Sequence, residues 1–482
     1  MLEKFKTSFL VFLICLSILL TYRLWFGRPP IEEGILPRYE LAYFTETPSL
    51  SRIILPSKII FEHEGLKYIF QRGEQNTEQL WEETLQIMML PGKIMTQIEK
   101  EEVLDFFTKS SFKAIYQFSP LLPPEFISER LSFISSAIQE VIFLWDEKLL
   151  RIIVCAEKHY FWELPGLKGQ VLQEKLLSLP GQTCLPLPTV FNLLKSENSN
   201  GEQQILLMSK ENEPEGVLET GNVKGIEVNS NYNELESWEV HVDRKIYLPE
   251  QEILASELLL SQEKINRDKL IRAFFYDLSM ARCIEEQDGA LYYTDGEKGL
   301  RIYPQELVEY SAPGLESSAG KISYLASLQK GAEKQSLYGG WPPGAYLVEA
   351  EKTGKGYQLL WYTFHEGLPI KGKEIGSKMI VNERGVPFYL RCFRSPGEKV
   401  EELKPFRPFK EAIYQALKHQ QEFLKGKKVT LLTLEPVYYF DESITSNKAI
   451  PAWAVQFAGT ETVYLHWSTL EILNCLETGG ES

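Results

Sequence analysis

The chain has 482 residues and a formal net charge of -15, from 51 Lys and Arg against 66 Asp and Glu. This acidic balance argues against a nucleic-acid partner, because no basic surplus exists to displace counterions from phosphates. A content of 44% hydrophobic and 12% aromatic residues argues against a disordered stalk, and the length allows two or three domains. The six cysteines are scattered with no CxxC spacing, which favours buried free thiols over a disulfide framework.

The first element is the apolar run from Thr7 to Phe26, uncharged as far as Tyr22. A hydrocarbon core needs ~20 helical residues, so residues 7–26 can cross a lipid bilayer. Arg23 lies at the distal end, where its stem can reach the headgroups, and Tyr22, Trp25 and Phe26 form an interfacial belt. No small-x-small cleavage site follows the run, and Ile14 is too large for lipoprotein processing at Cys15. Lys4 and Lys6 precede the helix, which puts the N-terminus in the cytoplasm and the bulk of a single-pass protein outside the cell membrane. Apolar burial contributes nothing between helices in lipid, so a partner helix would be held by packing and polar groups. Ser8 and Cys15 stand seven residues apart on one face, with Phe12, Leu16 and Leu19 as knobs around them.

The expected division is a cytoplasmic tip and anchor at 1–29, an N-terminal ectodomain at 35–190, a central domain at 191–335 and a C-terminal domain at 336–482. In the first ectodomain part, RIILPSKIIF and EGLKYIFQRG read as short strands. A helix opens at Asn76 or Thr77, with Leu80, Trp81, Leu85 and Met88 on one face, and stops at Pro91-Gly92. Thr96 and Glu99 have capping-box spacing before Leu104 and Phe107. AIYQFSP, EVIFLWD and LLRIIVCAEKHYFWEL read as strands. Residues 194–236 are the most polar stretch and read as exposed connections around QILLMS.

Leu254 and Leu258, and then Leu270, Ile271, Phe274, Phe275 and Leu278 behind an Asn266 cap, give two helical stripes. ALYYTDGEKGLRIY reads as a hairpin turning on Asp295-Gly296. From Trp341 onward an internal repeat of strands is expected, with a turn at Arg384-Gly385. Between its copies an amphipathic helix carries Phe409, Ile413, Leu417 and Leu424, opened by Pro408 and ended by Gly426. The fold class is α+β: a single transmembrane helix, then a multi-domain ectodomain of antiparallel sheets with packed helices.

Chemistry is scarce. No GxSxG, no phosphate-cradling glycine loop and no HExxH occurs, and the six histidines have no metal-ligand spacing. His365-Glu366-Gly367 begins like a zinc motif, but no second histidine follows. No catalytic residue, metal or cofactor is assigned.

Three stretches resemble the YycH family: the anchor with its LLTYRLWFG exit, the segment AFFYDLSMARCIEEQDGALYYTDGEKGLRIY, and the C-terminal repeat with GLPI at 367–370 and IPAWAV at 450–455. The resemblance implies a non-catalytic extracytoplasmic regulator of the cell-wall sensor histidine kinase WalK (YycG). It implies a complex with a YycI-like protein and a C-terminal part similar to YycI and PepSY repeats. Asp277, Tyr293, Asp295 and Gly296 match the family pattern and are read as a structural turn, with a side-chain cap and a φ > 0 glycine. The alternatives are a PepSY-like binding or peptidase-inhibitor module, or an envelope enzyme with a deep acidic or nucleophilic cleft.

Overall fold

The computed structural model describes residues 16–17, 43–88, 96–127, 137–145, 150–156, 160–167, 170–179, 181–197, 203–209, 233–243, 245–275, 278, 281–316, 322–373, 375–400, 403–424, 426 and 428–473. The chain divides into two units, Met1–Ala42 and Tyr43–Ser482. In the first unit Leu16 and Ser17 are helical and exposed. The rest of the expected span lies outside the described residues, and no described helix is long and apolar enough to cross a membrane.

The second unit is a mixed fold of helices and sheets, mostly sheet. Alternation drives its first half. Phe112–Leu122 buries every second residue for most of its length, and its period of two sends Ala114, Tyr116 and Phe118 to one face and Ile115 to the other. It is the fifth strand of a nine-stranded antiparallel sheet. The spatial order is Tyr247–Pro249, Gln182–Pro186, Leu66–Gln71, Lys58–His63, Phe112–Leu122, Ile138–Trp145, Leu150–Ala156, Tyr160–Leu167 and Thr96–Ile98. The helix Gln75–Met88 buries Leu80, Trp81, Leu85 and Met88, and Trp81 meets Tyr116 and Phe118 edge-on or tilted. Lys100–Lys109 packs Val103 with Ile142, Leu144, Ile153 and Cys155, residues of the other face.

Two local expectations fail here. Thr96 does not cap a helix: Thr96–Ile98 is an edge strand, Gln97 sits opposite Trp162, and Glu99 precedes the helix with no side-chain cap. LLRIIVCAEKHYFWEL is two antiparallel strands, Leu150–Ala156 and Tyr160–Leu167, because its apolar length is folded back on itself.

The remaining strands join into one hydrogen-bonded network, apart from the small separate pair Leu254–Ala255 and Lys404–Pro405. Within it Lys428–Phe440 runs parallel to Asn233–Val242 through its first four residues and parallel to Leu368–Gly372 through its last three. Its other edge is antiparallel to Lys448–Phe457. The expected antiparallel pairing holds for the other strand pairs, and these two parallel pairings depart from it: long connections, one carrying the helix Phe409–His419, return the chain in the same direction. That helix buries Ala412, Ile413, Tyr414, Ala416 and Leu417 and ends at His419, before the expected Gly426. Past it, Phe423 and Leu424 fold into turns on the Gln420 carbonyl.

The Leu254/Leu258 stripe is not helical. Leu258–Gln262 is a strand between Arg394–Lys399 and Lys448–Phe457, a long-range pairing that overrides local spacing. The second stripe forms the helix Arg267–Phe274, with the Asn266 side chain accepting from the Lys269 N–H at 3.0 Å. Strand pairing also links the expected domain segments: Gln182–Pro186 pairs with Tyr247–Pro249, and Leu307–Ser311 with Phe388–Cys392.

Candidate functional site

Of the residues marked on the sequence, Ser8, Phe12, Cys15 and Leu19 lie outside the described residues, as does Asp277, and Leu16 is exposed on its helical turn. Tyr293 sits in the strand Leu291–Thr294 opposite Cys283. The Asp295 carboxylate accepts from the Glu297 and Lys298 N–H groups, each at 3.0 Å. Gly296 has φ +93° with open space around it, a conformation that glycine adopts without steric cost. Thr294 closes the loop, accepting from the Gly296 N–H at 3.0 Å and donating to the Lys298 carbonyl at 2.8 Å. These contacts order a turn that borders an open concavity of about 270 Å³, lined among others by Tyr292, Thr294, Lys298, Arg301 and Glu309.

Glu366 and Gly367, at φ 50° and 81°, form the two-residue turn between Gly356–His365 and Leu368–Gly372. Among the described residues no group of three His, Cys, Asp or Glu could hold a metal ion. The described cysteines at 155, 184, 283 and 392 are free thiols. Three are buried, but Cys283 is exposed on its strand, which corrects the expectation of buried thiols at that position.

One large concave feature was not legible locally. A cavity of about 690 Å³ opens between the nine-stranded sheet and the Leu368–Gly372/Lys428–Phe440 strands. Small-molecule sites span roughly 300–1,000 Å³, so its size suits one ligand. Its charged lining comes from distant segments: Lys58, Arg72, Glu140, Lys245, Lys371 and Glu435.

Arg72 is 3% exposed, and its guanidinium donates to the Leu55 carbonyl at 2.5 Å and the Leu347 carbonyl at 2.8 Å. Burial lowers its pKa to about 10. Lys371 donates to Glu435 at 2.5 Å. Burial alone would raise the Glu435 carboxyl, but the Lys371 ammonium outweighs it and holds the group below the ordinary carboxylate value. Burial likewise disfavours the Lys371 ammonium, and Glu435 outweighs that to leave it raised. Part of each side chain stays accessible, 21% and 31%, and both line the cavity. Lys58 differs. Its ammonium reaches only the Tyr247 carbonyl, at 3.5 Å, and burial lowers its pKa with Glu435 offsetting in part.

The Lys371–Glu435 pair gives stability a defined pH dependence. The Glu435 contribution is present above the ordinary carboxylate pKa and is lost as pH falls through its depressed folded value. The Lys371 contribution is present below the ordinary lysine pKa and is lost as pH rises through its raised value. Lys371→Met is expected to cost about 1–3 kcal/mol at neutral pH, since Glu435 is left without its partner. Urea unfolding across pH should show that difference closing as Glu435 protonates in acid. A gap constant with pH would mean that the pair contributes nothing electrostatic.

Comparison with known proteins gives one family match and two structural matches. Residues 3–136 match the family described as YycH protein, N-terminal domain. The chain shares its fold with the crystal structure of YycH from Bacillus subtilis, at TM-score 0.55 and 15% identity, covering 88% of this chain and 98% of that one. A protein from Eubacterium rectale ATCC 33656 aligns at TM-score 0.34 and 11% identity, over 49% of this chain and 91% of that one. No curated protein sequence matches the chain. The N-terminal stretch is thus similar to the YycH N-terminal domain, and the fold is similar to that of YycH.

Proposed function

We propose that this chain is a membrane-tethered, non-catalytic regulator of a sensor histidine kinase of the WalK (YycG) type. The observation that carries the reading is the YycH N-terminal domain match over residues 3–136, a stretch that includes the apolar run 7–26. In this reading the run is a single-pass anchor with its N-terminus in the cytoplasm and Tyr43–Ser482 outside. A YycI-like protein completes the complex, and the C-terminal strands are the part that resembles YycI and PepSY repeats. The segments 35–190, 191–335 and 336–482 are its three ectodomain parts. Regulation then needs only differential binding: preferring one kinase state by ~1.4 kcal/mol shifts a two-state ratio about tenfold.

The test is affinity purification of the tagged full-length chain from detergent-solubilised membranes of its own organism. The reading expects the WalK-type kinase and the YycI-like protein to copurify. Recovery of the chain in the membrane fraction with neither partner contradicts it. The cavity gives a second reading some support, that of an extracytoplasmic binding module; this expects ligand binding without either partner.

A further inference from the structure

We propose that the 690 Å³ cavity binds a small anionic amphiphile, with a carboxylate or phosphate head on Lys58 and an apolar tail along Leu104, Phe107 and Leu432. The proposal does not depend on the kinase reading.

Charge is the first ground. Four basic side chains line the cavity against two carboxylates, within a chain whose net charge is -15. Two of the basic groups are already answered within the protein, Arg72 by two backbone carbonyls and Lys371 by Glu435. Lys58 has no carboxylate within 4 Å among the described residues, and its one contact is the 3.5 Å approach to the Tyr247 carbonyl. Lys58 is half-buried, and an ammonium partly withdrawn from bulk water gains from a paired anion. Strand pairing fixes its place, because Lys58 stands opposite both Gln71 and Gln117 in the middle of the sheet. Both amides neighbour it in the lining, and the Gln117 amide is turned to Glu140 at 2.9 Å.

The walls are the second ground. Leu104 is 55% exposed and Leu432 37%, large apolar side chains left in contact with solvent where they line this cavity. Leu432 is presented by a bulge, where the register of Lys428–Phe440 slips between Leu431 and Thr433. Phe107 and Ile142 continue the apolar surface. A free inorganic anion would leave these walls wet, and a neutral hydrocarbon would leave Lys58 unanswered. One ligand carrying both features satisfies both.

The test is isothermal titration calorimetry of the full-length chain in dodecyl maltoside, with octanoate, octyl phosphate, octanol and inorganic phosphate as probes. At least one of octanoate and octyl phosphate should bind one-to-one, and which of them binds identifies the head. Octanol and inorganic phosphate should bind at least about tenfold more weakly. Lys58→Met should weaken the amphiphile about tenfold, and Lys58→Arg should restore most of that loss. Leu432→Glu, at a position already exposed, should weaken it with little change in melting temperature. Absence of one-to-one binding by either amphiphile overturns the proposal. So does an unchanged affinity in a folded Lys58→Met chain, or equal affinity for inorganic phosphate.

Discussion

Arg391→Met is expected to lower the unfolding free energy by about 3–5 kcal/mol, the usual cost of removing one partner from a buried ion pair. Arg391 lies in the strand Phe388–Cys392, only 1% exposed, and meets Glu263 at 2.9 Å. Its guanidinium also donates to the Gly340 carbonyl and lies 4.0 Å from the centre of the Phe393 ring. Gly340 follows the helix Tyr324–Leu337, so one side chain fastens a helix end, a strand and the approach to Arg267–Phe274. Deleting it strands the Glu263 carboxylate, whose Oε1 is already buried without a partner. The double variant Arg391→Met/Glu263→Leu should recover more than half of the loss, because no lone charge stays buried. Denaturant titration of the four proteins in the cycle measures this. Additive losses would show that the two groups do not act as a pair.

Replacing Thr7–Leu20 with an unrelated spanning helix of equal length should preserve membrane insertion while weakening control of the kinase about tenfold. The sequence puts Ser8, Cys15 and the knobs Phe12, Leu16 and Leu19 on the replaced segment. Contacts of that kind depend on shape and polar pairing, which a generic apolar helix does not reproduce. The readout is expression of a kinase-dependent reporter, with membrane fractionation confirming insertion. Unchanged reporter output would remove the anchor from the mechanism and leave coupling to residues 43–482.

What the sequence made legible was mostly local. The Gln75–Met88 stripe, the Asn266 cap and the loop at Asp295-Gly296 each follow from residues a few positions apart, and each forms as its spacing dictates. Misreadings came where distant backbone competed for the same groups. Thr96 is claimed by Tyr160–Leu167, and Leu258 by strands more than a hundred residues downstream. The parallel pairings of Lys428–Phe440 leave no local mark, since alternation looks the same in either direction. The cavity was hidden for a stronger reason: Lys58, Arg72, Lys371 and Glu435 meet only through the tertiary fold. One hint was present, a lysine set against the apolar run Ile59-Ile60-Phe61, where a buried strand would ordinarily begin with a residue that needs no partner.

The most direct measurement of the central claim is autophosphorylation of the full-length WalK-type kinase in proteoliposomes, with and without the full-length chain and its YycI-like partner. A tethered regulator working by preferential binding should change the initial rate about tenfold for a coupling of ~1.4 kcal/mol, with the chain itself chemically unaltered. A rate indifferent to the chain at saturating surface density would contradict the account.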